Sequence, residues 1–201
     1  MRRLGIGPAS RVVAYDDQGG MVAGRAWWTL RYFGHGPVAL LDGGLEAWGE
    51  PLEKGEVTPP VGDFVAGPPH VEWTLDYEEV RGRSPETVLL DARSGERFRG
   101  EEERVEPKAG HIPGARSAHY AGNLAPDGRF RSPEELRHRY QDLGVTTGAE
   151  TVVYCGSGVS ACNDLLGMEL AGLTGARLYP GSWSDWSRRE GSEVETGSGP
   201  G

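Results

Sequence analysis

Cysteine is scarce in this chain, with two among 201 residues, Cys155 and Cys162. Two thiols cannot staple a disulfide scaffold, and Cys-x6-Cys matches no common zinc-binding spacing. A reduced, cytoplasmic setting is the default for so few cysteines. Long apolar runs are also missing. No stretch approaches 18 consecutive apolar residues, which excludes a membrane-spanning helix. Arg2 and Arg3 are followed by no apolar run, so the first residues do not read as a secretory signal. Cations are the minority charge, 21 Lys and Arg against 30 Asp and Glu, for a net charge of −9. That balance argues against nucleic-acid or anionic-membrane partners, and it obliges any anionic substrate to find a local cationic pocket.

Glycine is abundant, at 32 residues beside 14 prolines. At this level, glycine marks tight turns and close backbone approaches more than disorder. The length falls between one domain and two on a prior of about 150 residues per domain. An internal repeat accounts for it. Arg11-Val-Val-Ala-Tyr-Asp-Asp17 through Ala23 aligns with Thr151-Val-Val-Tyr-Cys155 through Ala161, placing Asp17 on Cys155 and Gly20 on Gly158. Gly43-Gly-Leu-Glu-Ala-Trp48 falls on Gly181-Ser-Trp-Ser-Asp-Trp186 at the same offset of 138.

Each copy reads strand, Gly-rich turn, helix, strand, turn, helix. The first strands lie at Val12-Val13 and Val152-Val153-Tyr154, and the second at residues 38–41 and 176–179. Helices are expected from Ala23 to Phe33 and from Ala161 to Leu170. This alternation predicts an α/β fold built on a parallel sheet. Residues 51–70, rich in Pro, Gly and Glu, read as a linker between a unit at 1–50 and a second unit at 71–201. In the second unit, Asp76 caps a helix, residues 87–91 form a buried strand, and Ser132-Pro133 opens another helix. The tail after Arg189 is expected to fray. The stretch from Trp73 to Arg131 has no counterpart in the first unit, so that unit reads as a truncated copy that begins midway.

Cys155 directly follows an apolar strand and opens Cys155-Gly156-Ser157-Gly158-Val159-Ser160-Ala161 at a helix entry. Helix N-terminal amides and the helix dipole favour negative charge there, and glycines let successive amides curl into an anion-binding nest. A cysteine in this position reads as a reactive thiolate nucleophile. Cys162, one turn into the helix, reads as core.

Asp91-Ala-Arg93, Arg97-Phe-Arg99-Gly100, Gly110-His-Ile-Pro-Gly-Ala115, the Cys155 loop and Tyr179-Pro-Gly-Ser-Trp-Ser-Asp-Trp186 together resemble a rhodanese-type sulfurtransferase. The loop is most similar to that of tandem-domain 3-mercaptopyruvate sulfurtransferases, which reads Cys-Gly-Ser/Thr-Gly-Val-Thr-Ala. Thiosulfate-preferring members tend to carry Cys-Arg-Lys-Gly, where this chain has Gly156 and Ser157. The resemblance implies one complete rhodanese-like domain behind a silent copy with an acid, Asp17, in place of cysteine. It implies sulfur transfer from a small anionic donor through a Cys155 persulfide. The acceptor is a thiol such as thioredoxin, or cyanide, and no cofactor or metal is required.

The loop residues Gly156, Ser157, Gly158, Val159, Ser160 and Ala161 would hold the sulfur, Ser157 either touching the reacting group or capping the helix. Arg97 would clamp the substrate carboxylate bidentately. The family's second arginine, in a Glu-Pro-Arg motif, is replaced in Glu106-Pro107-Lys108 by a lysine that keeps the charge and loses the fork. His111 and Asp91 read as structural, and Trp27, Trp28, Trp183 and Trp186 as packing.

Alternatives are a thiosulfate sulfurtransferase, or a weakly active or non-catalytic module because half of the first unit is absent. Tyrosine-phosphatase chemistry would need Cys-x5-Arg, and position 161 is alanine. The half unit is also expected to leave an apolar edge through which two copies could dimerise.

Overall fold

The computed structural model describes residues 1–199. The first unit holds two short parallel strands, β1 (Val12–Ala14) and β2 (Val38–Leu40), joined by helix α1 (Met21–Tyr32). The second unit contains β3 (Val88–Asp91), β4 (Arg116–Ser117), β5 (Thr151–Tyr154) and β6 (Arg177–Leu178) in one parallel sheet of order β4-β3-β5-β6. Its helices are α2 (Tyr77–Arg81), α3 (Gly95–Arg99), α4 (Pro133–Asp142), α5 (Ala161–Leu170) and α6 (Ser182–Trp186). No helix among the described residues is long and apolar enough to cross a membrane.

The central strands β3 and β5 are buried along their whole length, which is why both read as unbroken apolar runs. Their side chains alternate between two cores. On one face Leu90 and Val153 meet Leu136 and Tyr140 of α4, Leu166 and Met168 of α5, and Trp27 and Trp28 of α1. On the other, Leu89 and Val152 meet Tyr77 and Val80 of α2, Phe98 of α3, and Trp183 and Trp186 of α6. Each such fully buried side chain contributes about 1.5–3 kcal/mol. The four tryptophans expected to pack all do so.

Local signals set the helix starts. Asp76 and Ser132 each cap their helix in a capping box, accepting from the Glu79 and Glu135 amides while those glutamates accept in return. Residues 51–70 contain no helix or strand. The stretch nevertheless runs along the first unit, the Gly62 amide donating to Arg2, Phe64 to Ile6 and Gly67 to Phe33.

The tail departs from expectation. Its described residues, up to Gly199, are held in place, because they supply what the turn at His111 lacks, and the last two lie outside the described residues. His111 and Glu195 exchange both backbone hydrogen bonds, at 2.8 and 3.0 Å, and the Gly197 amide donates to Arg99 at 3.0 Å. The Trp186 indole N–H donates to the Glu193 carbonyl at 2.8 Å. A Gly/Ser/Glu composition signals low propensity, and tertiary hydrogen bonds overrode it.

The two units meet through α1 and α5. Gly24 lies against the backbone of Cys162 and Asn163, letting the helices approach, and Arg31 grips Glu169 with both carboxylate oxygens at 2.6 and 2.7 Å. The first unit keeps an apolar surface in the open: Val13, Tyr15, Leu45 and Trp48 are each more than 40% exposed.

Candidate active site

Strand order places the site. β3 and β5 are adjacent, but the chain leaves them in opposite directions across the sheet, to β4 and to β6. A crevice opens at the carboxyl ends of strands at such a switch point. The segment after β3 carries Asp91 to Glu103, and the segment after β5 is the Cys155 loop, so both converge there.

Cys155 is 2% exposed. Its amide donates to the Ser182 hydroxyl at 3.1 Å, and its carbonyl accepts from the Trp183 amide at 2.9 Å. Ser182 in turn donates to the Tyr179 carbonyl and is the one described non-glycine residue with positive φ, at 55°. The Ser184 amide donates to Gly156 at 2.8 Å. The loop is thus pinned to α6 at its first two residues. Gly158 has φ 74°, and a Cβ there would lie 2.8 Å from the Pro180 carbonyl oxygen, so the turn requires glycine. Among the described residues, the amides of Gly156 to Ala161 donate to no other protein group. Ser157 is exposed and Ser160 takes the N-cap position, so Ser157 is not the helix cap.

The first unit shows what such a loop binds. The Asp16 carboxylate accepts from four amides, Gln18 (2.9 Å), Gly20 (2.8 Å), Val22 (2.7 Å) and Ala23 (2.8 Å). Partial burial pushes its pKa up, but the four amides together outweigh burial and hold it below the ordinary 3.8. The residue in the cysteine's place is therefore Asp16, where Asp17 was expected. The ladders explain the slip: Leu41 donates to Ala14 as Tyr179 donates to Val153, so β1 and β5 correspond at an offset of 139. Paired residues of β1 and β2 are 26 positions apart, against 25 for β5 and β6. The first loop is one residue longer, which a fixed offset cannot see.

Arg97 stands beside the Cys155 loop. Its Nη1 would be 3.5 Å from a Cβ on Gly156, while its Nη2 donates to both carboxylate oxygens of Glu103 at 3.0 and 3.1 Å. Burial pushes Glu103 up, but the Val105 and Glu106 amides and the Arg97 guanidinium outweigh it and hold its pKa below the usual carboxylate value. In the sequence Glu103 is one of three consecutive glutamates, Glu101 to Glu103. Its role is to orient Arg97, and nothing in its neighbours distinguished it from Glu101 or Glu102.

Lys108 is placed differently from expectation. Its ammonium donates to the Ser192 hydroxyl (2.7 Å) and carbonyl (3.0 Å), so it fastens the tail instead of facing the loop. A compact point charge on a flexible stem suits that multi-carbonyl anchorage. Glu106 accepts from the Ser184 hydroxyl and pairs with Arg188 at 2.6 Å.

The remaining motif residues are structural. Asp91 and Arg93 form a buried bidentate pair, with Nη2 to Oδ2 at 2.6 Å, and the guanidinium lies 4.7 Å over the Trp183 ring. The His111 ring is hydrogen-bonded through Nδ1 to the Phe98 carbonyl at 2.8 Å and stacks on Phe98 at 3.7 Å. Cys162 is fully buried, and burial pushes its thiol up to about 12 despite the nearby Arg25.

The family model for the rhodanese-like domain matches residues 2–51 and 76–189. The chain belongs to the rhodanese family of sulfurtransferases. It is 46% identical over 98% of its length to the "Probable 3-mercaptopyruvate sulfurtransferase" of Pseudomonas aeruginosa, covering 72% of that protein. SseA from Escherichia coli, a structure described for 3-mercaptopyruvate sulfotransferases, shares 33% identity at a TM-score of 0.79 over 90% of this chain and 70% of that one. An anaerobic ergothioneine biosynthesis enzyme from Chlorobium limicola matches at a TM-score of 0.83 and 24% identity over 98% of this chain, a likeness of fold, and the chain spans 53% of its length. The motifs at Asp91–Arg99, Cys155–Ala161 and Tyr179–Trp186 thus follow the carboxyl ends of β3, β5 and β6, whereas Gly110–Ala115 leads into β4 and Lys108 fastens the tail.

Proposed function

We propose that this chain transfers a sulfane sulfur from 3-mercaptopyruvate, through a persulfide on Cys155, to a thiol acceptor such as thioredoxin or to cyanide. The observation that carries the reading is the Asp16 cradle, a loop of the same build whose amides hold an anion. In the Cys155 loop the corresponding amides are free to do the same for sulfur.

In the first half-reaction the Cys155 thiolate attacks the donor's sulfur. The donor's C–S bond breaks, its electron pair stays on carbon as the enolate, and protonation gives pyruvate. The outer sulfur of the Cys155 persulfide carries the negative charge, which the amides from Gly156 to Ala161 stabilise in a low-dielectric pocket. In the second, the acceptor thiolate or cyanide attacks that outer sulfur. The S–S bond breaks and the Cys155 thiolate returns.

Arg97, held by Glu103, supplies the cation for the donor's single carboxylate. Thiosulfate, a dianion, would call for cations at 156 and 157, where this chain has glycine and serine. In this reading residues 1–50 form a silent rhodanese-like copy related to the second by repetition, 51–70 a linker, and 71–201 the catalytic domain. The exposed apolar face of the silent copy is proposed as a dimer contact, tested by sedimentation at graded concentrations.

The test is steady-state turnover with both donors in parallel, with mass spectrometry of the trapped persulfide. Mercaptopyruvate should give the higher kcat/KM and add one sulfur atom to the peptide holding Cys155. Full activity in Cys155→Ser would overturn the nucleophile, and faster turnover with thiosulfate would overturn the donor.

A further inference from the structure

The helix α1 of the silent unit reaches the catalytic loop. Arg25 donates from Nη1 to the Gly158 carbonyl at 3.2 Å, and the Cys162 thiol donates to the same oxygen at 3.4 Å. Arg25 is itself steadied by the Trp28 ring, 5.0 Å from its guanidinium carbon. The contact is reciprocal. From α5, Asn163 Nδ2 donates to the Gly19 carbonyl of the silent loop at 2.9 Å. Gly19 and Gly158 are both left-handed glycines, at φ 66° and 74°.

The silent loop shows what this carbonyl grip does. A peptide unit is planar and trans, so its C=O and N–H point in opposite directions. The peptide between Gly19 and Gly20 has its oxygen tied to Asn163 and its N–H aimed at the Asp16 carboxylate, at 2.8 Å. In the catalytic loop, the matching peptide joins Gly158 to Val159. Its oxygen is tied to Arg25, and a Cβ on Gly158 would strike Pro180, so the turn has little room to adjust.

We infer that Arg25 is a positioning residue for sulfur transfer: by holding the Gly158 carbonyl outward, it turns the Val159 N–H towards the sulfur on Cys155. This deepens the proposed function and rests on it. It also gives the silent unit a part in the chemistry, since the cation comes from its helix. Arg25 acts through the backbone and not on the donor's carboxylate, so it should govern kcat with little effect on KM.

The test compares Arg25→Met, Arg25→Lys and Arg31→Met in the full chain. Loss of a single preorganised donor costs about 10²–10³ in kcat, and loosening one amide without deleting it should cost about tenfold. Arg25→Met is therefore expected to lower kcat about tenfold with KM for mercaptopyruvate within twofold, and Arg25→Lys to restore at least a third of the loss. Arg31→Met removes the α1–α5 ion pair with Glu169, so it should lower the melting temperature and leave kcat unchanged. The specific signature is the Val159 amide cross-peak in ¹H–¹⁵N spectra. It should move on persulfide formation in the wild type and move less than half as far in Arg25→Met.

A kcat within twofold of wild type, with an unchanged Val159 displacement, would overturn the inference. If Arg25→Met does not fold, Arg25→Gln, which keeps a neutral donor, carries the same comparison. A kcat for Arg25→Gln no lower than that of Arg31→Met then overturns it. Failure of the wild type to form any persulfide defeats the proposed function separately. The Val159 cross-peak position in the reduced protein still tests Arg25, and identity between wild type and Arg25→Met would refute its role.

Discussion

Replacing Gly158 with alanine tests whether the loop's shape is set by backbone sterics. The residue has φ 74°, and the new methyl would sit 2.8 Å from the Pro180 carbonyl oxygen, which is main chain and cannot swing aside. The left-handed conformation costs a residue with a Cβ about 1–2 kcal/mol. Relieving the contact requires a shift of Pro180 or of the loop, bringing the total to about 2–4 kcal/mol. For a chain of this size that lowers the melting temperature by about 5–10 °C.

Gly156→Ala is the matched comparison. Its Cβ would meet only the Arg97 Nη1, at 3.5 Å, an ordinary contact, and its φ is not positive. Its stability should stay within about 1 kcal/mol of wild type. Crowding of Arg97 should instead raise KM for mercaptopyruvate. Calorimetry and steady-state kinetics on the two variants separate these outcomes. Gly158→Ala melting within 2 °C of wild type with unchanged kcat (the scale set by about 1 kcal/mol) would refute the steric reasoning, as would equal destabilisation by Gly156→Ala.

Further outcomes follow from the same structure. Alkylation of the folded protein at neutral pH should label Cys155 and spare Cys162, whose thiol is held protonated up to about 12, with Cys162 labelled only on unfolding by peptide mass analysis. Asp16→Asn should cost about 1–2 kcal/mol at pH 7, since a charge-assisted acceptor of four amides becomes a neutral one. Because the folded carboxyl lies below its unfolded value of 3.8, this contribution is present above about pH 4 and is lost as pH falls further, so wild type and variant should converge in acid melts. Asp164 has the opposite sign. Burial raises it to about 7 although Arg139, Asn123 and Tyr140 oppose the rise. The protein should lose stability as pH rises from 4 towards 7, and Asp164→Asn should flatten the melting-temperature profile there. Deleting residues after Gly191 should remove the paired His111–Glu195 bonds and destabilise by about 1–3 kcal/mol, read in urea melts.

Much of the architecture was legible because it is written in local patterns. The apolar runs at 88–91 and 151–154 are buried strands because both faces are covered, and periodicity reports burial directly. Asp76 and Ser132 act within three residues of themselves, so their caps are visible without a fold. The setting of Cys155 was legible for the same reason, since strand, glycine loop and helix N-terminus are contiguous in the chain.

What the sequence left open lies wherever partners are distant. The Asp16–Asp17 ambiguity turned on a one-residue loop difference that only strand pairing exposes. Lys108 was placed by motif in the substrate site, but a lysine's ammonium goes to the carbonyls within its reach, and those belong to a tail 84 residues further on. Glu103 and Arg25 were overlooked because a charged residue carries no local mark of what it will hold. One becomes the brace of Arg97, six residues back along the same segment, and the other the grip on the Gly158 carbonyl, a contact that exists only once the two units have packed. The sequence by itself therefore determined the fold class and the place of the Cys155 loop between strand and helix. Tertiary structure alone decided which charges face that loop, because electrostatic and hydrogen-bond partners are chosen by distance in space and not by distance along the chain.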